Sequence, residues 1–270
     1  MNNQIAIVYM VAGISSRFGG KIKQFANVGP NNETLIEYSL NQALEAGFNK
    51  IIFIVGNLTE KPFKEKFKSS YKGVPIYYAL QTYDAEKRDR PWGTADAIYA
   101  IKPIIDCPFV ICNGDDIYGK NTLLTLHKHL RNSNEEATIG YRLEDGIPET
   151  GSVNRGIFTV KDNYVEDLTE VFNIEKSNLE KTDSKLDDFC SMNIFALHKN
   201  IVDLIGNDLI LFKEKFKEDR KKEALLPEFI SNLVKNNKIK MRIYKTPDKW
   251  IGVTNPADEL IVKDLLKDYK

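Results

Sequence analysis

Val11-Ala12-Gly13-Ile14-Ser15-Ser16-Arg17-Phe18-Gly19-Gly20-Lys21-Ile22-Lys23-Gln24 is the stretch on which the reading of this chain turns. It follows Ile5–Met10, a short apolar run that reads as a buried strand. Its small residues let backbone N–H groups come close to an anion. Ser15 and Ser16 add hydroxyl donors. Arg17 and Lys23 bring positive charge suited to a polyphosphate, the first as a planar fork and the second as a point charge. Lys21 lies out of register with this pair and reads as a bystander. Two common phosphate loops are excluded. A G-x-x-x-x-G-K-[ST] loop fails because Phe18 stands in place of its second glycine and Ile22 follows Lys21. A G-x-G-x-x-G fingerprint fails because Ile14 and Ser15 follow Gly13.

Outward from this loop, strands and helices alternate. Thr34–Ala46 reads as a helix stopped by Gly47, and Lys61–Ser69, Thr94–Ile101 and Thr122–Arg131 read as further helices. Between them, Ile51–Val55, Ile76–Leu80, Phe109–Cys112 and Ala137–Tyr141 read as strands. Strands that lack polar alternation are covered on both faces. The expected fold class is therefore α/β, a Rossmann-like, doubly wound, mainly parallel sheet. Ligands of such sheets bind beyond the carboxyl ends of the strands. After about residue 145 the pattern changes. Gly156–Val160, Tyr164–Thr169 and Ser191–Leu197 read as strands of a small antiparallel insertion, with the polar stretch Glu175–Asp188 as a loop between them. Helices at Lys199–Lys217 and Leu225–Asn236, a strand at Lys240–Lys245 and a helix from Pro256 complete the chain.

Composition narrows the partners. The 270 residues carry 38 Lys and Arg against 38 Asp and Glu, a formal net charge of zero. That argues against nucleic acid, whose backbone demands a surplus of cations. Hydrophobic residues at 42% suffice for a substantial core. Cys107, Cys112 and Cys190 form an odd, sparse set that fits a reduced cytoplasmic protein. No apolar run approaches the ~20 residues of a membrane span, and the N-terminus lacks the basic region of a signal peptide. His127, His129 and His198 do not cluster with carboxylates in sequence, and no G-x-S-x-G elbow is present.

Three further groups follow the strands. Gln81 ends the third strand, and Pro91-Trp92-Gly93-Thr94-Ala95 opens a helix ten residues on. Glutamine offers both an amide donor and an acceptor, and a glycine at 93 leaves bare backbone against which a flat group can lie. The charged run Asp84–Arg90 between them reads as a solvated loop. Asn113-Gly114-Asp115-Asp116 ends the fourth strand. Phosphate-bound Mg²⁺ takes only one or two protein carboxylates. Asp115 and Asp116 are both candidates, and Asp116 also fits the cap of the turn. Trp250-Ile251-Gly252-Val253-Thr254-Asn255-Pro256 comes last, where Asn255-Pro256 also fits a helix cap followed by a first-turn proline.

In this order the motifs resemble the sugar-1-phosphate nucleotidyltransferases, whose loop signature is roughly A-A-G-x-G-S-R-x-x-x-x-x-K. Ala12, Gly13, Ser16, Arg17 and Lys23 match it, while Val11, Ile14 and Ser15 depart from it. The G-G-x-K-Q spacing and the later motifs are similar to those of a bacterial NTP-transferase-like branch. The resemblance runs from Ile5 to about Leu260. It implies a nucleotide-binding core over residues 1–145. Residues 146–270 then form an acceptor-binding insertion with C-terminal elements that pack back on the core as one structural domain. It implies that Arg17 and Lys23 neutralise the triphosphate, that Asp115 holds Mg²⁺, and that Ala12, Gly13, Ser15, Ser16, Gln81, Gly93, Thr94 and Asn113 surround the nucleotide. A second metal ligand falls on Thr254 or Asn255, because Gly252 stands where many relatives carry Asp.

The same resemblance points to an acceptor side. Gly151-Ser152-Val153-Asn154-Arg155-Gly156 resembles the branch's G-[TS]-V-x-R-G element, and Ser191-Met192-Asn193 resembles its S-M-N. Gly156, Glu170 and Asn193 are the implied acceptor contacts. Relatives carry a cation directly after the glutamate, where this chain has Val171. The implied reaction joins an NTP to a sugar 1-phosphate and releases pyrophosphate, with Mg²⁺ and neither nucleic acid nor membrane as partner. A homo-oligomer is compatible with this reading. A cytidylyltransferase acting on an alcohol phosphate such as phosphocholine is the alternative within the fold. A non-catalytic nucleotide-sugar sensor is the alternative of another class, and the missing fingerprint disfavours a nicotinamide-dependent oxidoreductase.

Overall fold

The computed structural model describes residues 4–13, 22–148, 151–182, 184–253 and 258–267. Its first strand, β1 (Ala6–Met10), faces two cores at once: Ile7 and Tyr9 enter one apolar cluster, Ala6 and Val8 the other. The chain continues through α1 (Leu35–Ala46), β2 (Lys50–Val55), α2 (Glu60–Phe67), β3 (Ser70–Tyr71), β4 (Val74–Leu80) and α3 (Thr94–Ala100). Next come β5 (Phe109–Asn113), β6 (Asp116–Ile117), α4 (Lys120–Asn132), β7 (Glu136–Arg142) and the single turn α5 (Leu143–Gly146). The second half comprises β8 (Val153–Lys161), β9 (Tyr164–Ile174), β10 (Phe189–Ser191), β11 (Phe195–Leu197), α6 (Asn200–Lys215), α7 (Leu226–Lys235), β12 (Met241–Lys245), β13 (Ile251–Gly252) and α8 (Asp258–Lys267).

Local chemistry sets the ends of these elements. At the start of α1, Glu37 accepts from the Thr34 backbone N–H at 2.9 Å, and the Thr34 side chain takes the reciprocal bond of a capping box. Gly47 ends that helix at φ 105°, where a side chain would be strained. Asp162 and Asn163, at φ 52° and 65°, form the two-residue turn between β8 and β9. Paired positive φ values of this kind match the twist of a hairpin.

Eleven strands join in the order β10-β8-β9-β12-β7-β11-β5-β1-β2-β4-β3. β1 is parallel to β2 and β5, β2 to β4, and β7 to β12. α1, α2 and α4 supply the apolar residues on one face, and α3, α6 and α7 those on the other. This is the doubly wound α/β arrangement expected from the alternation of elements. A third, smaller cluster under α8 joins Val28, Leu35, Ile117, Val253 and Val262. Among the described residues, no helix is long and apolar enough to cross a membrane.

The stretch expected as one strand, Ser191–Leu197, differs. Both β10 and β11 run antiparallel along the same side of β7, β10 against Tyr141 and Arg142, β11 against Ala137 and Thr138. Between them the backbone bulges out at Asn193, whose φ is 56°. Asparagine tolerates that left-handed conformation, and an apolar run conceals such a break. β11 thus sits inside the main sheet, antiparallel between β5 and β7, rather than in the insertion. The insertion closes on itself through β10, which pairs with β8 as well as β7, while β9 pairs with β12.

Asp167 of β9 fastens the insertion to α7. It accepts from Ser231 Oγ at 2.6 Å and Lys235 Nζ at 2.7 Å. Burial pushes its carboxyl up, but Lys235, Ser231, the Leu168 N–H and Thr169 outweigh that and hold it down at about 2. A carboxyl depressed in the folded state stabilises above its unfolded pKa of ~4 and loses that contribution as pH falls through about 2. Asp167→Asn is therefore expected to cost about 1–2 kcal/mol at neutral pH, with the difference from wild type shrinking below pH ~4. Urea titrations at pH 7 and pH 3 measure both, and an equal loss at both pH values contradicts the assignment.

Candidate active site

The functional residues lie where the parallel strands end. Gly114 follows β5 and donates to Met10 O at 3.1 Å, while the space a side chain would need there is filled by Val11. Val11 thus fills the space that Gly114 leaves free, bringing the first loop and the Asn113–Asp116 turn together. Across that junction Lys23 Nζ meets Asp115 Oδ2 at 2.8 Å. The Lys23 side chain is 11% exposed and that of Asp115 is 32% exposed. Two residues 92 positions apart, both expected to handle the triphosphate and its metal, therefore form one charged pair.

Asp116 is buried behind this pair rather than capping a turn at the surface. Its carboxylate accepts from Asn113 Nδ2 at 2.8 Å and Tyr118 OH at 3.2 Å. Burial first, and repulsion by Asp115 second, push the carboxyl up to about 7, against the pull of Asn113 and Lys23. Among the described residues the buried Trp250 Nε1–H closes no hydrogen bond of good geometry, and as a donor near Asp116 it lowers that carboxyl slightly. The expected nucleotide contact Asn113 thus spends its amide on Asp116.

A cavity of about 150 Å³ opens beside Asp116. Of the expected residues it gathers Thr94, Asn113, Gly156, Glu170 and Asn193 from five separated segments. The β10–β11 bulge supplies Asn193, and the register of β8 places Gly156 opposite both Glu170 and Ser191. Burial raises the Glu170 carboxyl, repulsion from Glu228 adds to that, and Arg155 opposes it.

Arg155 and Trp250 are cavity residues that the sequence reading did not single out. The Arg155 guanidinium lies 5.3 Å from the centre of the Trp250 ring. It donates to Asn154 O at 3.0 Å and Gly146 O at 2.9 Å, and among the described residues its buried Nε has no partner. Two of its five donors are thus used by the protein. The signal was present in the sequence as the arginine of the G-S-V-N-R-G element, the one cation of the insertion's first strand within the motif.

Gln81 and Gly93 stand behind Thr94 and do not line the cavity. The Gln81 side chain was expected to offer a donor and an acceptor to a base. Its Nε2 instead donates to Gly93 O at 3.0 Å and to Asp96 Oδ2 at 2.9 Å. Gly93, at φ 101°, was expected to leave bare backbone for the base, but the space beside its Cα is taken by Ala224 O, 2.6 Å from where a Cβ would stand. Ala95 N–H bonds that same carbonyl at 2.9 Å, so the turn is zipped to the chain before α7. Trp92 is held between Arg88, 3.4 Å from its ring centre, and Phe212, and lies outside the cavity wall. Arg88 corrects the reading of Asp84–Arg90 as solvated, since its guanidinium is buried on the carbonyls of Arg90, Asp219 and Lys222.

Ala12 and Gly13 continue from β1 at the same end of the sheet, and among the described residues nothing stands within 4 Å of where a Gly13 Cβ would be. Ser15, Ser16 and Arg17, and the second-ligand candidates Thr254 and Asn255, lie outside the described residues. Among the described residues no group of three or more His, Cys, Asp and Glu could hold a metal. A pair of adjacent carboxylates, one exposed and one buried under mutual repulsion, does fit a cation whose other ligands are phosphate oxygens and water.

An α/β sheet with a loop, a lysine–aspartate pair and a polar cavity at the strand ends defines a phosphate-handling enzyme. Residues 20–258 match the profile described as nucleotidyl transferase, and the chain belongs to that family. No curated protein matches the chain. Solved structures share the fold at low identity. A protein assigned as a glucose-1-phosphate thymidylyltransferase of Bacillus anthracis, in complex with sucrose, is 12% identical with a TM-score of 0.71, covering 98% of this chain and 96% of its own. A UDP-glucose pyrophosphorylase complexed with UDP-glucose is 14% identical at TM-score 0.68, over 99% and 100% of the two chains. The inositol-1-phosphate CTP transferase of T. maritima is 15% identical at TM-score 0.66, over 98% and 96%.

Proposed function

We propose that this nucleotidyltransferase joins an NTP to a sugar 1-phosphate, giving an NDP-sugar and pyrophosphate. The observation that carries the reading is the 150 Å³ cavity, in which Asn113, Asn154, Asn193, Ser191 and Thr94 surround Arg155 beside Asp116. Hydrogen-bonding groups of this density suit a polyhydroxylated acceptor, and the guanidinium suits its phosphate. In the reaction an acceptor phosphate oxygen attacks the α-phosphorus, a new P–O bond forms, and the α–β bridging bond breaks to release pyrophosphate. No covalent protein intermediate is needed, since the nucleophile is already an anion. The protein aligns two anions and stabilises the charge that develops.

In this reading Ala12, Gly13, Ser15 and Ser16 cradle the phosphates, and Arg17 and Lys23 neutralise the charge on the departing pyrophosphate. Gln81 and the Gly93 turn address the base. Gly156, Glu170, Asn193 and Arg155 hold the acceptor. Asp115 would hold Mg²⁺, which when bound neutralises phosphate charge, with Thr254 or Asn255 as the second ligand. The phosphocholine alternative is left to the test below, since Arg155 stands 5.3 Å from the Trp250 ring centre on one face only.

The test is a matrix of five nucleotides (ATP, GTP, CTP, UTP and dTTP) with Mg²⁺ against sugar 1-phosphates, inositol phosphate and phosphocholine, read by pyrophosphate release. Release with a sugar 1-phosphate and one preferred nucleotide is expected. Binding of nucleotide without release in any combination points to the sensor instead. Release with phosphocholine alone overturns the acceptor assignment.

A further inference from the structure

The base site contains a buried charge pair that the reaction itself does not require. Asp96, in the first turn of α3, is buried, and its two carboxylate oxygens are used differently. Oδ1 pairs with Lys213 of α6, and Oδ2 accepts from Gln81 Nε2. The second Nε2 proton of Gln81 goes to Gly93 O. One acceptor is a backbone carbonyl, and the other is a carboxylate oxygen whose twin is paired with the Lys213 ammonium group. The amide of Gln81 can therefore stand in only one of its two orientations. Among the described residues nothing donates to its Oε1.

We propose that Asp96 and Lys213 are positioning residues that lock the Gln81 amide with its oxygen outward, so that the nucleotide site presents an acceptor and no donor to the base. The proposal rests on the reading of Gln81 as the base contact. Its chemical consequence is selection between bases of one size. Uracil and cytosine carry opposite donor and acceptor patterns on the same edge. A free glutamine could turn its amide to suit either, but a locked one cannot. A site with a fixed buried partner rejects the base that leaves it facing a like group.

Lys213 sets the sign of the lock. With Lys213 present, an asparagine at 96 turns its oxygen toward the ammonium group and its NH₂ toward Gln81, where two donors then oppose each other. With methionine at 213, the same asparagine is free to turn its oxygen back to Gln81. The experiment measures kcat/KM for UTP and CTP with the preferred acceptor in wild type, Asp96→Asn, Lys213→Met and the double variant. The wild-type ratio is expected to differ from unity by at least ~10-fold in one direction. Asp96→Asn should bring it toward unity by at least ~10-fold, and Lys213→Met should leave it within ~3-fold of wild type. The double variant should restore it, which a merely structural ion pair does not do.

A wild-type ratio near unity, an unchanged ratio in an active Asp96→Asn, or a double variant no better than Asp96→Asn overturns the lock. Should Asp96→Asn fail to fold, the double variant and Lys213→Met still decide: loss of selectivity in both overturns it. Hydrogen exchange of the Gln81 side-chain amide gives a readout independent of turnover. Protected Nε2 protons in wild type, exposed in Asp96→Asn and protected again in the double variant, support the lock even if no nucleotide reacts. That combination would place the failure in the functional reading instead.

Discussion

Lys23→Ala is expected to lower turnover by at least ~10²-fold while leaving the fold intact, the size of effect seen when one preorganised group facing transition-state charge is removed. The lysine is fixed before any substrate arrives. Its side chain is 11% exposed and its Nζ is held 2.8 Å from Asp115. Charge that is already oriented costs nothing to reorganise when the α–β bond breaks. Asp115→Ala is expected to fall by a similar factor for a different reason, namely loss of the carboxylate that would hold Mg²⁺. The two variants are separable by titrating Mg²⁺. The lysine variant keeps the wild-type metal dependence at lower rate, and the aspartate variant needs more metal. Circular dichroism should show native helix content in both. Near-normal turnover in purified Asp115→Ala would remove the metal assignment.

The second large effect is expected at Arg155. Arg155→Met should raise the acceptor KM by about 10²-fold, from the loss of a charge-assisted, two-pronged contact. The nucleotide KM should change little. Arg155→Lys should recover part of the loss, because an ammonium group keeps the charge and loses the fork. The buried Nε, unpartnered among the described residues, and the two protein-bound donors show a guanidinium held in place with capacity to spare. If Arg155→Met alters only stability, measured by thermal denaturation, and leaves the acceptor KM unchanged, the residue is a strut between Gly146 and Trp250 and nothing more.

The arrangement of elements was largely legible because β1, β2 and β5 each hold an unbroken run of at least four apolar residues and helices separate them. Periodicity gives each element but not its neighbours. Nothing in a three-residue run such as Phe195–Leu197 says that it will slide antiparallel between β5 and β7. At the site, Lys23 and Asp115 could be named from their motifs, but their contact spans 92 residues and has no local signature. The reading of Gln81 as a two-way hydrogen-bonding group erred for the same reason. Asp96 lies 15 residues away and Lys213 a further 117, and only folding shows that they claim the amide's donors. Gly93 was read as bare backbone for a base, and the group that meets the space of its missing side chain is the Ala224 carbonyl, a contact 131 residues away with no local signature.

The ring closed by β10 also bears on how copies of this protein meet. β7, β12, β9, β8 and β10 each find a neighbour on both flanks, although β12 meets β9 only at Arg242 and Tyr164 and β10 meets β8 only at Gly156 and Ile157. Among the described residues the other end is β3, two residues long. It covers only Val74 and Pro75 of β4, so among the described residues the outer flank of residues 77–80 is left as an open edge. Two copies that met strand to strand would therefore do so along β4, at the end of the sheet away from the ring.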